Sequence, residues 1–207
     1  MNWLAHVFLS ESDIEFRLGN LLADLVRGEA RERMSPRFRL GAEQHRIIDA
    51  YTDAHPVVRH SRSRIDASRR RFSGVLVDVF YDHFLARSWQ SWSSEPLEVF
   101  ISSFYTEASA AAIELPEPAR SVLARIVEHD LLGSYLHTEG VERSLKRLSL
   151  RLAQRWRRPF DLERGVADLL AHHEALAGDF AKFFPALREH VATHRPVLGH
   201  ATRGRAS

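Results

Sequence analysis

The stretch Ser73-Gly74-Val75-Leu76-Val77-Asp78-Val79-Phe80-Tyr81-Asp82-His83-Phe84-Leu85 decides how the chain folds. Its cluster Val75-Leu76-Val77 would suit a strand, but no alternation follows, and the apolar run continues at helical length to about Trp89. Read as a helix capped by Ser73, it is apolar on nearly every side yet carries Asp78 and Asp82 four residues apart. Two carboxylates on such a helix are partly buried, and buried negative charge is costly unless a cation compensates. His83 is turned about 100° from their face.

The same pattern recurs outward. His45, Asp49 and Asp53 follow at i, i+4 and i+8 on a helix that opens with the cap and first-turn pair Ser35-Pro36 and ends before Pro56. Asn20 and Asp24 repeat the spacing on a helix expected from about residue 13 to residue 27, where Ile14, Leu18, Leu21, Leu22 and Leu25 form the apolar stripe and Gly28 the stop. Residues four apart are stacked with a rise of about 6 Å, so neighbours can reach one ion or one water. Three helices thus each present a carboxylate, and two also carry a histidine. Such groups converging from facing helices build divalent-metal sites in bundles, and this oxygen-rich set with imidazole suits Mn²⁺, Mg²⁺ or Fe²⁺ better than a structural zinc. Each pair taken alone is more often the mark of a solvated face or an ion pair with arginine than of a site. His6, between Trp3-Leu4 and Val7-Phe8-Leu9, reads either as a hydrogen-bonded core residue or as a ligand, as do His172 and His173.

Helical periodicity continues to residue 195. A basic stretch spans residues 56–71, Pro96 opens the next segment, Val122, Ile126 and Val127 carry another, and a basic helix covers residues 141–157. Asp161 caps a last long segment expected to break near Pro185. The expectation is one compact all-α domain of seven to nine helices over residues 1–195, with a polar disordered tail at residues 196–207.

Composition narrows the chemistry. The chain of 207 residues has no cysteine, so any metal must rest on His, Asp or Glu. No basic leader and no run of about 18 apolar residues appears, so a cytoplasmic protein is expected, without membrane contact. All but Lys146 and Lys182 of the 29 basic residues are arginine, yet the net charge is only +2. With no recognised nucleic-acid motif, that balance argues against a nucleic-acid partner. Arg59, Arg62, Arg64, Arg69, Arg70 and Arg71 lie between the two acidic helices in sequence, as a surface that steers a negatively charged macromolecule would.

Four motifs in order resemble the acyl carrier protein phosphodiesterase family: Met1-Asn2-Trp3-Leu4-Ala5-His6, Gly19-Asn20-Leu21-Leu22-Ala23-Asp24-Leu25-Val26-Arg27-Gly28, His45-Arg46-Ile47-Ile48-Asp49 with Thr52-Asp53, and Asp78 through Leu85. The resemblance continues weakly through His172-His173-Glu174 and Phe183-Phe184-Pro185. It implies an HD-phosphohydrolase-like fold and a hydrolase that removes 4′-phosphopantetheine from a serine of holo acyl carrier protein, with a divalent cation, Mn²⁺ favoured. Within these motifs the adjacent pair is Asp82-His83, reversed from the usual His-Asp order.

On that resemblance Asp24, His45, Asp78 and Asp82 are expected to hold the metal, with Asp49 and His83 as further ligands or their partners. Arg27 and Arg46 are placed to neutralise the phosphodiester, and Asp53 or His6 to orient the water or protonate the leaving serine alkoxide. The basic stretch, residues 59–71, is expected to dock the acidic carrier. The rival readings are an HD-like phosphohydrolase of a small nucleotide or other phosphodiester, and a non-catalytic helical binding module.

Overall fold

In the computed structural model, which describes residues 1–196, the chain runs through twelve α-helices: α1 (Trp3–Phe8), α2 (Ile14–Leu22), α3 (Gly28–Glu32), α4 (Pro36–Ala54), α5 (Pro56–Ser63), α6 (Ser73–Arg87), α7 (Leu97–Ala111), α8 (Ala119–Glu128), α9 (Leu131–Ser134), α10 (Thr138–Trp156), α11 (Val166–Ala171) and α12 (His173–Thr193). None of the described residues forms a strand, and together they make one helical domain. The expected tail lies outside the described residues except for Pro196. Among the described residues, no helix is long and apolar enough to cross a membrane.

The deciding stretch is α6, and it is the central rod. Leu76, Val77, Phe80, Tyr81 and Leu85 are fully buried, because α1, α5, α10 and α12 pack around it. A helix apolar all round has to be enclosed in this way. The rod starts one residue past Phe72, and Ser73 supplies no side-chain cap.

Helices α2 and α4 pack closely along their length. A Cβ on Gly19 would lie 2.0 Å from the Phe38 carbonyl oxygen, and one on Gly41 would lie 2.0 Å from that of Phe16. Only glycine permits this backbone approach, which brings Asn20 against His45. Asp13 and Ser35 cap the two helices by accepting the amides of Phe16 and Phe38.

Several boundaries differ from expectation for local reasons. The helix expected to residue 27 stops at Leu22, since a turn is needed to bury Val26 while leaving Asp24 exposed, and Gly28 then takes φ 54°. The basic stretch splits at Ser63 because the Asp66 side chain accepts the Ser68 amide and opens a 3₁₀ turn, Ala67–Phe72. Asp161 precedes a short 3₁₀ turn, Leu162–Gly165, rather than a long helix. Pro185 does not break α12. Phe183, Phe184 and Leu187 on either side of it are fully buried, and that packing outweighs the lost amide.

Candidate metal centre

Helix α1 brings His6, and α4 brings His45 and Asp49, to one point where α2 ends. The imidazoles of His6 and His45 stack with centroids 4.2 Å apart. His6 Nε2 lies 3.3 Å from Asp49 Oδ1, and His45 Nε2 lies 3.1 Å from Asp49 Oδ2. One donor atom from each of the three lies within 4.8 Å of the others, a group able to hold a metal ion.

Hydrogen bonds on the far sides of the rings set their tautomers. His45 Nδ1 donates to the Asn20 backbone carbonyl at 2.8 Å, and His6 Nδ1 donates to the Asn20 side-chain oxygen at 2.8 Å. Asn20 is held in that orientation because its Nδ2 donates to the His6 carbonyl and to Ser10 Oγ. With each Nδ1 directed outward to Asn20, both Nε2 atoms face Asp49. Burial holds His6 below its usual pKa, so it is neutral.

Lone pairs facing a carboxylate are acceptors facing acceptors, and His45 Nε2 is buried with no hydrogen-bond partner among the described residues. A divalent cation reconciles that arrangement, and the outer hydrogen bonds are the kind that orient metal-binding histidines. The donor set fits the ion.

The remaining expected residues fall into two groups. Asp24, on the turn after α2, is exposed, with Oδ2 3.8 Å from His45 Nε2 and Oδ1 2.7 Å from Arg27 Nη2. Asp78 borders the centre, its Oδ1 3.3 Å from the Met1 nitrogen, which also lies 3.4 Å from Asp49. Asp82 does not point there. Fully buried, it accepts the backbone N–H groups of Leu4 at 2.7 Å and Ala5 at 3.2 Å, and so anchors α1 instead of offering a ligand. His83 is turned away too, because its Nδ1 donates to the Tyr135 carbonyl at 2.7 Å. A doublet in the order His-Asp does stand in the chain, His129-Asp130, and it lies elsewhere, with Asp130 capping α9.

Asp53, one turn beyond Asp49, accepts from Arg62 at 2.5 Å instead of facing the centre. Arg46 and Arg27 are exposed, with the half-buried Arg31 close to both. Arg31 is the member of that group whose role the sequence did not signal. Its guanidinium is held over the turn by the carbonyls of Val26 and Ala23, and burial followed by the charges of Arg46 and Arg27 lowers its pKa.

The expected docking stretch is largely committed within the fold. Arg69 grips buried Asp168 through two bonds of 3.1 Å, and Arg64 reaches buried Asp179 at 3.3 Å. Arg59 donates to the Ala54 carbonyl, Arg70 to that of Ile65, and Arg71 lies over Phe72.

Comparison with known proteins places the chain in a family. Residues 1–187 match the family model described as acyl carrier protein phosphodiesterase. A relative of that name from Escherichia coli O139:H28 (strain E24377A / ETEC) is 32% identical over 200 residues, covering 95% of this chain and all of the relative. Another of that name, from Escherichia coli (strain K12 / DH10B), is 33% identical over 190 residues, covering 90% and 95%. No solved structure matches the chain. With the family model spanning nearly the whole chain and relatives above 30% identity matched over almost their full length, the chain belongs to the acyl carrier protein phosphodiesterase family of hydrolases.

Proposed function

We propose that the chain hydrolyses the phosphodiester joining 4′-phosphopantetheine to the serine of holo acyl carrier protein, with a divalent cation held by His6, His45 and Asp49. The observation that carries this reading is the buried Nε2 of His45, without a hydrogen-bond partner and aimed at an ionised carboxylate. Two imidazoles with carboxylate suit Mn²⁺ or Fe²⁺ better than Mg²⁺, and Mn²⁺ is the favoured ion. When bound, the ion supplies a water of lowered pKa and polarises the phosphoryl oxygens.

The chain's own residues do the rest. Asp24 exchanges its bond to Arg27 for the centre when substrate enters, which frees the Arg27 guanidinium for a phosphate oxygen. Arg27, Arg31 and Arg46 neutralise the phosphodiester and meet the acidic carrier, a role that the internally paired Arg62, Arg64 and Arg69 do not fill. Asp78, which borders the centre beside the Met1 amine, orients the water in place of Asp53. On this reading the kinship with HD phosphohydrolases is one of chemistry, histidine and aspartate donors gathered from several helices, in a cytoplasmic enzyme of lipid metabolism.

The test is incubation of the protein with holo acyl carrier protein and Mn²⁺, following carrier mass. Loss of the phosphopantetheine mass, stopped by a chelator and by H45A, is expected. An unchanged carrier with Mn²⁺, Fe²⁺ and Mg²⁺ alike overturns the reading.

A further inference from the structure

Met1 and Asp78, which border the centre, also line a cavity of about 240 Å³ between α1, α6 and α10. Its walls are of two kinds. Trp3, Val79, Leu131 and Leu148 make an apolar side, while Ser144, Arg147 and Arg151 make a polar one. Asp78, at the end shared with the centre, is the only carboxylate in the lining.

The arginines are the informative part. They stand one turn apart on α10, with the Arg151 guanidinium 5.9 Å from the Trp3 ring centroid. Arg147 Nη1 is buried without a hydrogen-bond acceptor among the described residues. Desolvation, then the charges of Arg125 and Arg147, hold Arg151 below the usual arginine pKa. Clustered guanidinium groups with an unused donor are costly to keep together, and oxygen atoms of a ligand relieve that cost. The apolar wall asks for a ligand with an aliphatic body, and the volume, slightly below that of a drug-sized pocket, asks for a slender one.

The geometry points to this cavity as the subsite for the prosthetic arm, taking the aliphatic amide chain against Trp3 and Leu148 and its carbonyl oxygens on Arg147 and Arg151. This rests on the function proposed above and adds where the arm lies. The phosphoryl end meets the centre at Asp78, and the carrier protein stays outside on the side of Arg27 and Arg46. Arg147 and Arg151 are positioning residues, since they hold substrate away from the reacting bond.

The test uses the full chain with 4′-phosphopantetheine, pantetheine and inorganic phosphate as probes, read by Trp3 fluorescence with Trp3→Phe as the blank. Binding of 4′-phosphopantetheine is expected to weaken about tenfold in R147Q and in R151Q, the loss of one charge-assisted bond. L148W, which fills the cavity, is expected to abolish it. KM for holo carrier rises about tenfold in R147Q and R151Q, with kcat within about twofold. The two arginine variants, which remove charge without adding bulk, guard against L148W failing to fold.

If wild type releases the arm and all three variants match it in KM and binding, the subsite is overturned and the function stands. Inorganic phosphate binding as tightly as 4′-phosphopantetheine, and as sensitive to R151Q, makes the cavity an anion site and overturns the arm assignment. If wild type leaves holo carrier intact, the function falls, and the titration alone judges the cavity: a response lost in L148W upholds it, no response overturns it.

Discussion

The Asn20 side-chain oxygen lies 2.8 Å from His6 Nδ1, while its Nδ2 donates 3.0 Å to the His6 carbonyl. One fully buried amide thus clamps the imidazole and the backbone of the same residue. Its own backbone carbonyl does the like for His45.

Asn20→Ala removes the first clamp and leaves the second. Mn²⁺ affinity, measured by calorimetry, should fall about 10–100-fold, as for other outer partners of metal-binding histidines. Stability should drop by about 1–3 kcal/mol through the groups left unpaired. Undiminished Mn²⁺ affinity would show that His6 is not a ligand.

Asp82 makes a prediction about pH. Burial pushes its carboxyl up to about 7, against the opposing pull of the Leu4 and Ala5 amides. Between about pH 4 and 7 the folded protein therefore keeps a proton that the unfolded chain has released, so stability falls as pH rises through that window. A shift of about three units corresponds to at most about 4 kcal/mol. Urea unfolding of chelator-treated wild type and D82N should diverge in slope across the window. Parallel curves would assign the proton elsewhere.

Gly41→Ala drives a Cβ into the Phe16 carbonyl, and backbone cannot step aside as a side chain does. We expect a loss of about 3 kcal/mol or more, at or beyond the upper end for overpacking. Separation of α2 from α4 pulls Asn20 off His45, so metal affinity falls as well. A variant with wild-type melting temperature and Mn²⁺ binding would contradict the close approach.

Arg69 and Arg46 should part company. Arg69→Ala strands a buried Asp168 carboxylate and should lower stability by about 3–5 kcal/mol. Arg46→Glu should leave the melting temperature nearly unchanged, raise KM for the carrier and weaken its salt dependence. An Arg69→Ala protein that melts normally but binds carrier poorly would restore residues 59–71 as the docking surface.

Much of this was legible in the sequence, and the limits have physical causes. The 3.6-residue period and the caps at Asp13 and Ser35 located the helices, because periodicity and capping are local. Spacing also selected His45 and Asp49, since residues four apart share a face. It selected Asp82 for the same reason and misread it: a helix face says which way a carboxylate points, not which group waits opposite. What waits is the pair of amides of Leu4 and Ala5. His6 stayed open between two readings because its partners, Asn20 and Asp49, come from other helices. The arginines of residues 59–71 read as a surface for a partner because Asp168 and Asp179 lie far along the chain.

The bond from Asp82 to α1 spans 78 residues, and this sets an order of events during synthesis. His6, Asn20, His45 and Asp49 all leave the ribosome early, but the helix that carries His6 has no anchor until α6 follows. A nascent chain ending at α5 should therefore bind Mn²⁺ poorly despite holding the full donor triad, and acquire it once α6 closes the long-range contact. On the proposed function the metal would be loaded late, onto a nearly complete fold.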